Sequence, residues 1–403
     1  MRIIVLGGAG DMASRAVREL ADQEEVTNLT VADYNQDAAE RLAANLGDKV
    51  RAAWVDANDH NALVSVIAGH DAAACGIGPF YQYEAKAARA SIEAGVPYVS
   101  LCDDYDGTQA VLELDSAAKE AGVTVLTGLG WTPGLSNVLA RKASSGFDLL
   151  DEINVAWGSG TEGEEGLAVI LHTMHIFTGL VPSFQKGRLI DLPAGTGKEV
   201  ILFPTPVGRV NCYHLGHPEP VTLPRFLPGV RTVTLKGGLS EQFLNDLAIW
   251  LARLRLTDTP AKKEALGQII QAALPFLSRL GGVEEPCSAV RVDVGGWTDG
   301  TYHQVSYGAA APMAELTGLP LAIGALMLAR GDLHVPGVVA PEACIEPGPF
   351  LAELEERGVA IQDMTGQWPE AVAVPVRPSP ATLALLGLAV WLLLRRRRRA
   401  KGS

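Results

Sequence analysis

Asp103 and Asp104 stand side by side just after the apolar run Tyr98-Val99-Ser100-Leu101, and Tyr81 follows Gly76-Ile77-Gly78-Pro79-Phe80. Carboxylates and a phenol at strand ends are groups that take up and return protons when a hydride leaves or joins a carbon. All three are candidate catalytic residues, with helix capping as the plain alternative for either Asp. His172 and His175 lie three apart, on one helical face. They lack the intervening Glu of H-E-x-x-H and a third ligand, so no metal is expected. His172 reads instead as polar lining of a substrate pocket, with ordinary packing as the alternative. Arg225 is a candidate for gripping a substrate carboxylate, with Lys236 behind it, and a solvated surface charge is the alternative for both. The turn-rich stretch Gly128-Leu129-Gly130-Trp131-Thr132-Pro133-Gly134 adds Trp131, Pro133 and Gly134 as substrate-facing positions.

Hydride chemistry needs a carrier, and the N-terminus has a place for one. Arg2-Ile3-Ile4-Val5-Leu6 reads as a buried strand and runs into Gly7-Gly8-Ala9-Gly10-Asp11-Met12-Ala13. Gly8, Gly10 and Ala13 fit G-x-G-x-x-A, and Gly7, Gly10 and Ala13 fit G-x-x-G-x-x-A. Small residues there let backbone amides at a helix start approach a pyrophosphate. Asp33 follows Ala13 by 20 residues, at the end of the second strand, the spacing of a carboxylate that takes the adenosine ribose hydroxyls. No arginine adjoins it, which favours NAD over NADP, with Arg15 or Arg41 as the side chains able to accommodate a 2′-phosphate. Gly7, Gly8, Gly10, Asp11, Met12, Ala13 and Asp33 are thus cofactor-binding candidates. Asp56, Gly76 and Gly78 join them from later strand ends, where open α/β sheets bind ligands.

The elements that must position these groups alternate. Strands are expected at 2–6, 29–32, 50–55, 71–75, 98–101 and 123–126. Helices are expected at 11–22, 37–46, 62–67, 83–94 and 108–121, several stopped by glycine. Such alternation predicts a Rossmann, doubly wound parallel sheet over 1–130. From 131 to 310 the pattern becomes α+β. Asp299-Gly300 marks a hairpin, and helices at 241–256 and 262–280 lie between strands, the second broken or kinked at Pro275. A further helix spans 313–329.

Tyr98-Val99-Ser100-Leu101-Cys102-Asp103-Asp104 resembles the Y-V-D-L-x-x-D stretch of the saccharopine dehydrogenase family, and Leu129-Gly130-Trp131-Thr132-Pro133-Gly134-Leu135-Ser136-Asn137 resembles its G-x-x-P-G-x-x-N loop. His217-Pro218-Glu219-Pro220-Val221-Thr222-Leu223-Pro224 is similar to a second-domain segment of that family. Thr317-Gly318-Leu319-Pro320 and Pro341-Glu342 are similar to its C-terminal return to the first domain. The resemblance covers residues 1 to about 365. It implies hydride transfer at the C–N bond of an amino-acid-derived small molecule, a 131–310 domain for substrate and dimerisation (hence a homodimer), and a 311–365 return. The positions that would fix an amino-acid substrate are not recognisable, and His172-Thr173-Met174-His175 stands among them.

The formal charge of −13 excludes nucleic acid as a natural partner. Five cysteines without a C-x-x-C pair, and an N-terminus without signal-peptide architecture, suit a reducing cytoplasmic setting. Residues 366–380 read as a linker, and 381–403 as an apolar segment with Arg395 to Arg399. The tail resembles Pro-Glu-Pro sorting tails, with Ser379 where those carry Glu. Membrane association through 381–399 is expected, although 14 apolar residues span only roughly 21 Å of a roughly 30 Å core; a shallow insertion avoids placing the arginines against the positive-inside rule, and an oligomer contact or an accidental extension is the alternative. Three readings follow: a C–N oxidoreductase, a catalytically silent dinucleotide-binding sensor or scaffold, and a membrane-associated oxidoreductase on a non-amino-acid substrate.

Overall fold

The computed structural model describes residues 1–160, 167–281 and 287–367. The glycine- and glutamate-rich residues 161–166 and the whole apolar tail lie outside the described residues.

The first half follows the expected alternation. Strands β1 (Arg2–Leu6), β2 (Asn28–Asp33), β3 (Val50–Trp54), β4 (Ala72–Cys75), β5 (Tyr98–Ser100) and β6 (Thr124–Leu126) alternate with α1 (Asp11–Asp22), α2 (Gln36–Ala44), α3 (His60–Ile67) and α4 (Phe80–Ala94). The helix expected at 108–121 is two helices, α5 (Tyr105–Leu112) and α6 (Asp115–Ala121), because the chain turns at Leu114 (φ −84°, ψ 1°). Gly95 and Gly122 stop their helices in the left-handed region that favours glycine.

After β6 come α7 (Leu135–Ser144), β7 (Leu149–Ser159) and α8 (Leu167–Ile176). Next are β8 (Leu180–Gln185), β9 (Arg188–Pro193), β10 (Glu199–Leu202), β11 (Arg209–His214) and α9 (Glu219–Phe226). Then follow β12 (Thr232–Leu239), α10 (Gln242–Arg253), α11 (Pro260–Gly281), β13 (Ser288–Thr298) and β14 (Thr301–Ala311). Helix α11 runs on through Pro275, so the expected break does not occur; one missing N–H removes only one helical bond. Asp299 and Gly300 both have positive φ and close the β13–β14 hairpin, as a two-residue turn of this hand demands. The chain ends with α12 (Met313–Arg330), β15 (Gly337–Val339), α13 (Pro341–Cys344), α14 (Pro347–Glu356) and β16 (Ile361–Asp363).

Two sheets result. The first is wholly parallel in the order β15-β6-β5-β4-β1-β2-β3, with β1 and β4 buried on both faces by helices. Its seventh strand, β15, is absent from the sequence reading: three residues, Gly-Val-Val, carry no periodicity to find. The second sheet is mixed, in the order β10-β11-β12-β7-β13-β14-β16, with β8 and β9 attached through β12. Helix α12 lies across α1 and reaches β4 and β5, so the chain returns to the first sheet after building the second. The molecule is α/β with a parallel Rossmann sheet and a separate mixed-sheet unit, and the carboxyl ends of β1, β4, β5 and β6 face that unit.

Candidate functional site

The glycine loop connects β1 to α1 with almost no side-chain bulk. Gly7 donates its N–H to Ala32 O (2.7 Å), and Gly10 N–H donates to Gly7 O (3.1 Å). Gly7 has φ +68°, and a Cβ there would lie 2.9 Å from the Gly76 carbonyl carbon. A Cβ on Gly76 would lie 2.6 Å from the Ala13 Cβ, so the loop after β4 presses on the first turn of α1. Gly10 caps α1 without a side-chain hydrogen bond, and Gly8 and Ala13 complete the turn. Asp11 and Met12 open the helix. Asp33, at the end of β2, accepts Ala9 N–H (3.0 Å) and Asn35 N–H (2.8 Å), which fixes its carboxylate beside the loop. A bare amide-lined turn at a helix start, with a carboxylate at the neighbouring strand end, fits a dinucleotide's phosphates and ribose.

Other candidates are placed less directly. Asp56 spends its Oδ1 on the Asn58 amides and builds a turn there. Gly78 precedes Pro79 and comes within 3.2 Å of Ala168 Cβ when a Cβ is added, so it seats the start of α8. Arg15 is bound to Glu315 (2.7 Å) and Glu19 (3.3 Å), so it is occupied elsewhere than at a 2′-phosphate. Arg41 is exposed on α2.

A cleft opens between the two units, walled on the first-domain side by Met12, Leu101, Trp131 and Pro133, and on the other by Trp157, His172 and His217. Gly134 allows the 130–134 loop to fold on itself: its φ is +123°, and a Cβ would come within 2.2 Å of Gly130 O. Beneath the loop, Asn137 Oδ1 accepts Gly134 N–H (3.0 Å), and its Nδ2 donates to Glu342 (2.8 Å) and Thr222 (3.3 Å). Glu219 accepts Thr132 Oγ1–H (2.6 Å) and Ser136 Oγ–H (2.9 Å). This buried network ties the loop, α9 and α13 together, and burial lifts the carboxyls of Glu219 and Glu342 to about 7.

His172 projects from α8 onto the two acids after β5. Its Nδ1–H donates to Asp104 Oδ1 (2.8 Å) and lies 3.2 Å from Asp103 Oδ1. Burial alone would lower the imidazole, but the two carboxylates beside it outweigh burial and raise it to about 9. Asp104 is enclosed and also accepts Tyr81 N–H (3.0 Å). Burial opposes its charge, yet His172 and these hydrogen bonds hold it below the usual range. Asp103 faces the cleft, and burial raises it to about 7 against the pull of His172. His217 sits edge-on to His172, with centroids 5.3 Å apart, fully buried and without a hydrogen-bond partner for either ring nitrogen among the described residues. Burial and the His172 charge keep it neutral. Trp157 lies 5.9 Å from His217 and 5.8 Å from Trp131, centroid to centroid. The arrangement offers one carboxyl able to cycle its proton near neutrality, a fixed imidazolium behind it and an aromatic wall opposite.

Two expected residues are not brought in. Arg225 is exposed on α9, 5.7 Å from the Phe226 ring, because the inward face of that helix is taken by Glu219, Thr222 and Leu223. The Tyr81 side chain leaves the cleft and stacks on His175 at 4.4 Å. His175 in turn contacts Lys263 Nζ (2.6 Å) and Asp106 (3.2 Å). Tyr81 therefore serves Asp104 through its backbone. Asp103, Asp104 and His172 also lie close enough to hold a metal ion, but the ion pair already satisfies the imidazole. His217 and Trp157 have no role in the sequence reading. The family-like segment His217-Pro218-Glu219 was the available signal for the first; nothing marks the second.

Comparison with known proteins adds a lineage. The model of the saccharopine dehydrogenase NADP binding domain matches residues 3–126, and that of the saccharopine dehydrogenase C-terminal domain matches 213–359. The chain is 26% identical over 267 residues to carboxynorspermidine synthase from Vibrio cholerae serotype O1, covering 60% of this chain and 63% of that one. It is 28% identical over 160 residues to the NADP(+), L-glutamate-forming saccharopine dehydrogenase of Pyricularia oryzae, covering 38% of this chain and 31% of that one. It thus spans under two thirds of the length of these relatives. The apo, L-Glu-forming saccharopine dehydrogenase from Saccharomyces cerevisiae has the same fold (TM-score 0.63, 18% identity, 90% of this chain and 100% of that one).

Proposed function

Because the chain belongs to the saccharopine dehydrogenase family, with that family's NAD(P)-binding domain at its N-terminus, we propose that it is an oxidoreductase moving a hydride to or from the carbon of a C–N bond. The bound coenzyme supplies a nicotinamide ring as hydride acceptor or donor. The glycine loop at Gly7, Gly8 and Gly10 and the Asp33 carboxylate would hold that coenzyme, which would supply the hydride chemistry, and Asp103 takes the proton that the substrate nitrogen gives up as C–N becomes C=N. His172 holds Asp103 partly ionised and fixes its place, and Asp104 fixes His172. Trp131 and Trp157 exclude water from the reacting carbon.

The observation that carries this reading is the Asp103–His172 pair, with a carboxyl near neutrality facing a cleft that also includes Met12 of the glycine-loop helix. Reduced-coenzyme formation with an amine panel tests it. Asp103→Asn is expected to lower kcat at least about 100-fold while calorimetry returns the wild-type coenzyme affinity; wild-type kcat in that variant removes the assignment. For the coenzyme itself, Asp33 at the ribose end and the engagement of Arg15 with Glu315 support NAD over NADP. Equal kcat/KM with both coenzymes in the same assay refutes that preference.

A further inference from the structure

The cleft contains no lysine or arginine among the described residues that line it. Its charged groups are Asp103 and His172, with Asp104 enclosed behind them, and the imidazolium is consumed by the two carboxylates. His217 is neutral. Among the described residues the nearby cations are engaged: Arg15 with Glu315, Lys263 with His175 and Lys236 with Glu199. Arg225, the side chain that sequence marked for a substrate carboxylate, is exposed on α9. The remaining walls are mostly apolar or aromatic, including Leu101, Trp131, Trp157, Val169, Ile176 and Leu239, with only the uncharged hydroxyls of Thr132, Ser159, Thr173 and Thr317 between them. With His172 protonated and Asp104 charged, those two cancel, and the cluster turns net negative toward the cleft as Asp103 ionises through about 7. A carboxylate entering here would meet Asp103 with no counter-ion, whereas an ammonium or iminium would meet a partner.

We infer that the site takes an amine that carries no carboxylate, an alkyl- or arylalkylamine whose nitrogen is held by Asp103 and whose tail lies against Trp131 and Trp157. What the amine undergoes rests on the C–N reading above; what the cleft accepts does not. In oxidation the amine gives a hydride to the coenzyme and a proton to Asp103, and water then splits the imine into a carbonyl compound and the free amine or ammonia.

The test compares matched pairs on the full chain saturated with NADH: phenethylamine against phenylalanine, and cadaverine against lysine. Dissociation constants come from calorimetry, and turnover is followed separately with NAD. The expected result is that each amine binds roughly 30-fold or more tightly than its carboxylated partner, the penalty of an unpaired carboxylate in such a site. Asp103→Asn is expected to weaken amine binding and narrow that ratio. Equal or tighter binding of the amino acids overturns the inference, as does failure of both amines to bind, or an amine affinity unaltered in Asp103→Asn. Amines that bind with the expected preference but give no reduced coenzyme leave the cleft assignment standing and refute the C–N reading instead.

Discussion

Asp103 and Asp104 share one imidazole but differ in what surrounds them. Asp104 is enclosed, takes the direct hydrogen bond from His172 and the Tyr81 N–H, and stays charged. Asp103 is raised to about 7 and His172 to about 9. Below about 7 Asp103 carries its proton and cannot accept another; above about 9 His172 loses the charge that orders the cluster. The kcat/KM for amine oxidation should therefore rise through about 7 and fall through about 9, the two limbs belonging to the coupled group. Asp104→Asn removes one of the carboxylate charges that raise the imidazole, and the one that accepts its hydrogen bond. The alkaline limb should then move down by about one unit or more, with coenzyme affinity unchanged; an alkaline limb that stays put shows that Asp104 does not hold His172. Sequence could place both acids at a strand end, because an apolar run stops just before them. It could not show that a histidine 68 residues from Asp104 closes the cluster, since that contact is made only when the second unit packs on the first.

At the scale of elements, α4, β5 and β6 meet on one buried carboxyl. Glu84 is fully enclosed and accepts Tyr98 Oη–H (3.0 Å), Ser100 Oγ–H (2.7 Å) and Thr127 Oγ1–H (3.1 Å). Burial raises it to about 7 against those three bonds. Its folded value therefore exceeds the ordinary carboxyl value, so the native state holds the proton more tightly than the unfolded chain. That contribution to stability is complete below about 4.5 and is lost as pH rises through about 7, roughly 3 kcal/mol for this one group. Glu219 and Glu342 act in the same direction. In Glu84→Gln, urea unfolding midpoints should fall less between mildly acid and neutral pH than in the wild type. An undiminished pH slope would show that Glu84 is not buried as a protonated acid. The helices and strands around this carboxyl were legible, because period and glycine stops are local signals. Glu84 itself was not: inside a helix reading Gln82-Tyr83-Glu84-Ala85-Lys86 it looks like any solvated acid, and only the arrival of β5 and β6 encloses it. The same holds for Asn137, Glu219 and Glu342, which sit in recognisable motifs whose mutual contacts are long-range.

At the scale of the whole molecule, apolar composition means different things in two places. Met313–Arg330 is long and apolar enough to cross a membrane, yet most of it is buried against α1 and the first sheet, which accounts for that composition. Here the return of the chain, with β15 pairing on β6, gives the apolar helix its partner. The segment 381–394 and the five arginines after it lie outside the described residues, and the glycine loop and the described lining of the cleft lie within 1–367. We propose that this tail attaches the enzyme to a membrane surface, its apolar part entering to less than the full depth and its arginines lying among anionic headgroups. The full chain should sediment with anionic vesicles and be partly released by salt, because the arginine contribution is screened while the apolar one is not. Deletion of 368–403 should leave the protein in the supernatant with unchanged coenzyme affinity, since the glycine loop and Asp33 are retained. A full chain that remains in the supernatant with vesicles at low salt ends the attachment proposal. It would leave the cleft chemistry untouched, because every group in that chemistry is placed by the two sheets and by the return of α12 to the first of them.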